Sequence, residues 1–481
     1  MLSRVFYALL GVRFVDNLAT WQLLDTDLLK QDLWRSLVYL HSQPPAFNLW
    51  VGAILKLAPD PATAEMLFHA SLLLCGAVLY GALFELALRL GTTPWIAFLV
   101  SSAFITTPSA ILYENWLFYP MALAAVLTLA AVVLHVYLEQ RQRWQALLFF
   151  ALLALLSCLQ STFHPALAVL ALVCLALLRP ASRRDLAWAA APALALLLAL
   201  CLKNALLFGH SSLSSWGGMS VGRVILVNVP EEQRQALVAR QELSPLALIE
   251  PFSPLEQYPD RYRHVAGFEQ VPALRQERKA SGQTNYNHLG YVSISEQYLA
   301  DAQTLLRHAP AAYLKGVLRS FFVYTKSTSD YGFLIDNLRQ IAALDELYNR
   351  VLFGKVAVSS TLFPHVRGDA YKPYSIYLTL LLGLPLVFAF GLRGALWPHP
   401  RYGPTRNQRV VLAFMCFYVL WVALVGNLLE SGENNRFRFT TDPLSAGIFA
   451  LALQTLWTRL HLGAGRKAPH SSHTESALPS A

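Results

Sequence analysis

Long apolar runs alternate with short polar breaks along most of the chain. They fall at about 3–20, 46–58, 64–89, 93–112, 117–138, 144–162, 165–178, 186–207, 374–394, 409–429 and 443–461. A helix needs roughly 20 apolar residues to cross a bilayer, so the pattern predicts a polytopic bundle of about 10–12 transmembrane helices. Phe163-His164-Pro165 divides what would otherwise be one over-long helix, because proline ends or kinks a helix at the residue before it. The run at 46–58 is only about half a span long, which suits a re-entrant segment.

Residues 208–372 differ in kind. They are rich in Ser, Gln, Glu, Arg and Pro, and stretches such as 295–325 carry apolar residues at helical spacing with polar faces. The expectation is an extramembranous insertion of mixed, mostly helical content between a transmembrane module at 1–207 and C-terminal transmembrane helices at 373–465. A tail at 466–481, with Ser, His and Pro, is expected to be disordered.

Composition agrees with lipid as part of the solvent. The chain has 481 residues, 55% hydrophobic and 14% charged, with a mean hydropathy of +0.41. Soluble domains carry about 25% charged residues. The net charge of +9 is placed topologically. Arg141 and Arg143, Arg179, Arg183 and Arg184, Arg393, Arg401, Arg406 and Arg409, and Arg459, Arg466 and Lys467 all flank apolar runs. That is the pattern of cytoplasmic loops in a multi-pass membrane protein, and no nucleic-acid partner is expected. The insertion and the segments around Asp25, His164 and Glu430 to Arg438 then belong outside. Three apolar segments separate Asp25 from Glu114, so either 46–58 is re-entrant or Glu114 faces the cytoplasm. All five cysteines (Cys75, Cys158, Cys174, Cys201 and Cys416) lie in apolar runs without ligand spacing, and neither a disulfide framework nor a metal site is expected.

Four polar groups could carry chemistry. The first loop holds Asp16, Asp25, Asp27 and Asp32 and then His41-Ser42-Gln43-Pro44-Pro45. Its carboxylates suit a general base at the membrane surface, or equally the water-facing side of an amphipathic helix. Tyr113-Glu114-Asn115-Trp116 sets a glutamate between apolar runs, where it needs water, a partner or a cavity. His164 sits at the Gln160–Pro165 break, as a structural or a site residue. Glu430-Ser431-Gly432-Glu433-Asn434-Asn435-Arg436-Phe437-Arg438 is the most specific. Guanidinium groups fork phosphate oxygens, so Arg436 and Arg438 suit a phosphate, with pairing to Glu430 and Glu433 as the alternative. No Walker-type loop, GxGxxG, HExxH or nucleophile elbow occurs.

The order of these parts resembles the glycosyltransferase C superfamily, which includes protein O-mannosyltransferases and lipid A aminoarabinose transferases. The shared plan is an acidic first external loop, a His/Lys-Pro-Pro element opening a helix, and a late Glu…Asn-Arg-Phe-Arg loop. Asn204, Phe208-Gly209, Ser214-Ser215-Trp216-Gly217 and Asn285-Tyr286-Asn287-His288 look like a bacterial branch apart from both named groups. The resemblance implies a polyprenyl-phosphate sugar donor, an unspecified glycan, lipid or protein acceptor, and a catalytic acid in the first loop. The family's acid pair is not reproduced. Asp25-Thr26-Asp27 is its nearest approximation and Asp16 the rival. Arg436 and Arg438, with His41, would bind the departing phosphate, and neither cofactor nor metal is required. A lipid-linked oligosaccharide transporter, a ligase using the same donor, and a non-catalytic scaffold of the same fold stand as alternatives.

Overall fold

A computed structural model describes residues 2–178, 182–358, 374–397 and 403–464. Arg179, Arg401, the end of the insertion and the tail at 466–481 lie outside the described residues.

The chain is an α-helical membrane protein. Five helices are long and apolar enough to cross a bilayer: Pro61–Arg89, Pro120–Gln140, Arg183–Phe208, Leu378–Leu396 and Arg406–Leu429. A bent pair, Pro94–Ile105 and Pro108–Glu114, makes up to six. Their outward faces carry large apolar side chains, such as Leu198 (69% exposed), Leu206 (76%) and Leu386 (70%). Such surfaces are stable against lipid and costly against water. The helix Pro120–Gln140 is buried over 78% of its span against 17–44% for the others, so it forms the centre of the bundle.

Two predicted spans are broken for visible reasons. The run at 93–112 bends by 60° where Thr106 and Thr107 precede Pro108, because proline cannot donate the intrahelical hydrogen bond there. The first run, at 3–20, is helical only over Leu2–Leu9. The chain turns at Gly11, where φ is +96°. It then runs extended, so that the Val15 amide donates to the Asn115 carbonyl and the Leu117 amide to the Val15 carbonyl, both at 2.9 Å. The half-length run at 46–58 is a single helix, Pro45–Leu57. At roughly 1.5 Å per residue, its 13 residues do not cross a hydrocarbon core.

Among the described residues of the insertion the regular elements are helices, apart from a strand, Lys355–Val358, which pairs antiparallel with Tyr374–Tyr377. The insertion has its own buried cluster, drawn from residues between Trp216 and Leu305, including Met219, Leu246, Tyr291 and Tyr298. At its heart Gly217–Leu226 lies against Gly290–His308. A Cβ at Gly218 would collide with the Ser295 carbonyl oxygen, and one at Gly222 would press on the Tyr298 ring at 3.3 Å. Small residues one turn apart therefore let two backbones touch and fix the rotation of Gly217–Leu226 about its axis.

This close approach sets a stability test. Gly218→Val should lower the stability of the detergent-solubilised protein by about 1–3 kcal/mol. Gly217→Ala, whose Cβ meets open space, should change it by less than about 0.5 kcal/mol. Thermal unfolding of the two variants measures the difference.

Candidate functional site

Chain segments remote in sequence enclose a cavity of about 900 Å³. Its walls come from the first loop (Asn17, Thr20, Trp21, Gln22 and Gln43), the break at 160–165, the 210–223 stretch, residues 283–299 and the 425–437 segment.

The first loop is pinned by the insertion. The Asn287 side-chain oxygen accepts from the His41 and Ser42 amides at 3.0 and 3.1 Å. Its nitrogen donates to the Tyr39 and Ala273 carbonyls at 3.1 and 3.2 Å. The His41 ring is fully buried. Its Nε2 lies 3.0 Å from the Asn287 carbonyl, which can only accept, so Nε2 carries the proton. Nδ1 then accepts from the Ser215 hydroxyl at 2.8 Å. Burial, followed by the nearby His210, pushes the His41 pKa down to about 3. The predicted phosphate ligand is thus a neutral clamp behind the cavity wall. Both of its ring nitrogens are occupied.

The first-loop acids stand apart from the cavity. Asp25 is 7% exposed and caps the helix Thr26–Gln31. One of its oxygens accepts from the Asp27 amide at 2.9 Å and the other from the Ala280 amide at 2.5 Å. Beside it, Lys279 donates to the Thr20 carbonyl at 2.8 Å. Asp27 is exposed in the first turn of that helix, and Asp16 is exposed next to the cavity-lining Asn17. None of the three lines the cavity; Asp25 instead caps free amides at a helix start. Glu114 is 1% exposed and paired with Arg4 at 2.8 and 3.0 Å, also away from the cavity. His164 does line it.

The 430–438 segment is divided. Asn434–Phe439 is a short helix, and helical residues two apart point about 200° from one another. Arg436 faces the cavity while Arg438 turns away to Asp442 at 3.1 Å and to the Tyr324 carbonyl. Of the two arginines expected to fork one phosphate, only Arg436 lines the cavity. Arg436 is 2% exposed. It donates to Glu433 at 2.5 Å and to the Tyr119 hydroxyl at 3.3 Å, and its Nε has no hydrogen-bond partner among the described residues. Glu430 lines the same cavity. Its oxygens accept from the Ser220 hydroxyl at 2.7 Å and the Ser431 amide at 3.0 Å.

Arg223, Ser220, Thr20, Gln22 and Glu296 also face this cavity and were not singled out by sequence. One signal was available: Arg223 is the sole Lys or Arg between Lys203 and Arg234, one residue after Gly222 of the Gly218/Gly222 pair. Among the described residues no group of three or more His, Cys, Asp or Glu could hold a metal ion. The cysteines are free thiols.

Compared with family models, curated proteins and solved structures, the chain matches none.

The buried histidines make stability depend on pH. His41 is held at about 3 and His288, chiefly by burial, at about 4, both from an ordinary 6.5. Below pH 6.5 the unfolded chain takes up protons that the native state refuses. The stability is therefore complete above pH 6.5 and is lost as pH falls toward 4 and then 3. Each histidine should contribute a slope of about 1.4 kcal/mol per pH unit. Melting curves between pH 7 and pH 5 should show the fall, and His41→Gln should remove roughly one histidine's share of the slope.

Proposed function

We propose that the chain transfers a sugar from a polyprenyl-phosphate donor to an acceptor hydroxyl in this cavity, with inversion and on the extracytoplasmic face of a bacterial inner membrane. The observation that carries the reading is Arg436. It is a buried guanidinium in the cavity wall with an unused donor, a few residues from Glu430, in a membrane protein whose cavity is lined by Trp, Tyr, Ser and Gln side chains. A buried polar group without a partner is costly, and a polar ligand in the cavity would relieve that cost.

Glu430 is the best-placed base. Glu433 is already neutralised by Arg436. Glu430 makes no ion pair among the described residues and is aimed by Ser220 and Ser431. It would take the acceptor's proton as the oxygen attacks the anomeric carbon. The bond to phosphate then breaks on the opposite face, and the cavity's guanidinium groups stabilise the charge left on the lipid phosphate. The phosphate is a good leaving group, so no acid is needed at the glycosidic oxygen.

Glu430→Gln preserves size and can still accept from Ser220. It should lower transfer by a factor of about 10²–10⁴ at unchanged abundance and melting temperature, whereas Asp27→Asn should leave transfer intact. The readout is mass spectrometry of envelope glycans from strains carrying each variant. An unaltered glycan profile when Glu430→Gln and Arg436→Gln are combined would remove the reading.

A further inference from the structure

Resting on the donor reading above, we infer that the cavity is divided, with the sugar ring bound at its buried end by Thr20, Gln22, Glu433 and Arg436, and the lipid phosphate bound by Arg223.

The buried end carries unsatisfied polar atoms of both kinds. The Thr20 hydroxyl, the Gln22 Oε1 and the Arg436 Nε have no hydrogen-bond partner among the described residues. Their side chains are 3%, 7% and 2% exposed, and all three line the cavity. They are knitted together, because Gln22 neighbours the Tyr119 hydroxyl that Arg436 contacts. A phosphate only accepts hydrogen bonds. It would find the Gln22 carbonyl oxygen and the Glu433 carboxylate opposed to it. Sugar hydroxyls both donate and accept, so one can donate to Gln22 and another to Glu433 while accepting from Arg436. Trp21, between Thr20 and Gln22 in sequence, lines the same cavity and offers an apolar face to the C–H side of a ring.

Arg223 has the opposite character. It is half-buried in the cavity wall, with its guanidinium over the Phe252 ring at 5.7 Å. Among the described residues it makes neither a hydrogen bond nor an ion pair. Its planar fork of donors is therefore open to an anion. One turn earlier on the same helix, Ser220 holds Glu430, and an Arg223 nitrogen lies 3.0 Å from where a Cβ on Gly432 would sit. The 430–436 segment thus runs from Glu430, past Gly432 beside Arg223, to Arg436 at the sugar position.

The test uses the full-length protein in nanodiscs and two probes. Polyprenyl monophosphate supplies the phosphate without sugar, and a panel of free hexoses, pentoses and N-acetylhexosamines supplies sugar without phosphate. Arg223→Gln should weaken polyprenyl monophosphate by about tenfold or more, with partial recovery in Arg223→Lys and unchanged melting temperature. Thr20→Val and Gln22→Leu should keep that affinity but lose the saturation-transfer NMR signal of whichever monosaccharides bind the wild type. The division is overturned if Arg436→Gln, and not Arg223→Gln, removes polyprenyl monophosphate binding, or if Thr20→Val and Gln22→Leu retain the monosaccharide signal. Wild-type protein that binds neither probe overturns the donor reading itself, a result distinct from either of these.

Discussion

Between the first loop and the insertion lies a buried hydrogen-bond network centred on Asn287 and His41, and the cavity depends on it. Asn287 uses its side-chain oxygen on two amides of the first loop and its side-chain nitrogen on two carbonyls, one in the loop and one in the insertion. His41 then ties the same loop to Ser215, the residue before Trp216 and the helix that carries Ser220 and Arg223. These groups are almost completely shielded from water. Each lost bond would therefore strand a polar atom in a medium of low dielectric, which costs more than the bond itself contributes. A network under that constraint has one arrangement, and it brings first loop and insertion to a fixed separation.

The second constraint is the burial of two arginines two residues apart. A cation removed from water is stable only with a counter-charge and dense local contacts. Arg438 has Asp442 and a carbonyl, and it ties the short helix to the last one. Arg436 has Glu433, Tyr119 and the ring faces of Phe118 at 5.0 Å and Phe437 at 4.8 Å. Cation–π attraction strengthens where water is excluded. Arg436 is thus held rigidly while one of its donors stays unused. The same physics makes Arg438 structural and leaves Arg436 available.

The helical membrane class was legible because it rests on composition and periodicity. The apolar runs from 46 onward contain helices close to where the pattern places them, and the chain breaks at Pro108 and Pro165, although Pro192 and Pro385 lie inside continuous helices. The site was legible in part. His164, Glu430 and Arg436 share the cavity. The aspartates lie off the cavity, and sequence does not foretell that, since an acid in a polar loop reads the same whether it faces a ligand or caps a helix. Asp25 does the latter. The Arg436/Arg438 pair misled because i and i+2 converge in some loop conformations and diverge in a helix, and the local sequence does not say which holds.

By itself the sequence determined the solvent: a chain this apolar and this poor in charge can fold only with lipid against much of its surface. It also placed most of the long helices, since hydropathy acts locally, although the run at 3–20 is helical only over Leu2–Leu9. Tertiary structure alone decided which polar residues meet. Thr20, Gln22, Arg223, Glu430 and Arg436 line one cavity although their positions span most of the chain. Their convergence depends on long-range contacts such as Asn287 with His41, and on the close backbone approach at Gly218. Neither has a local signature, because a hydrogen bond between residues 41 and 287 is a property of the packed fold and of no segment within it.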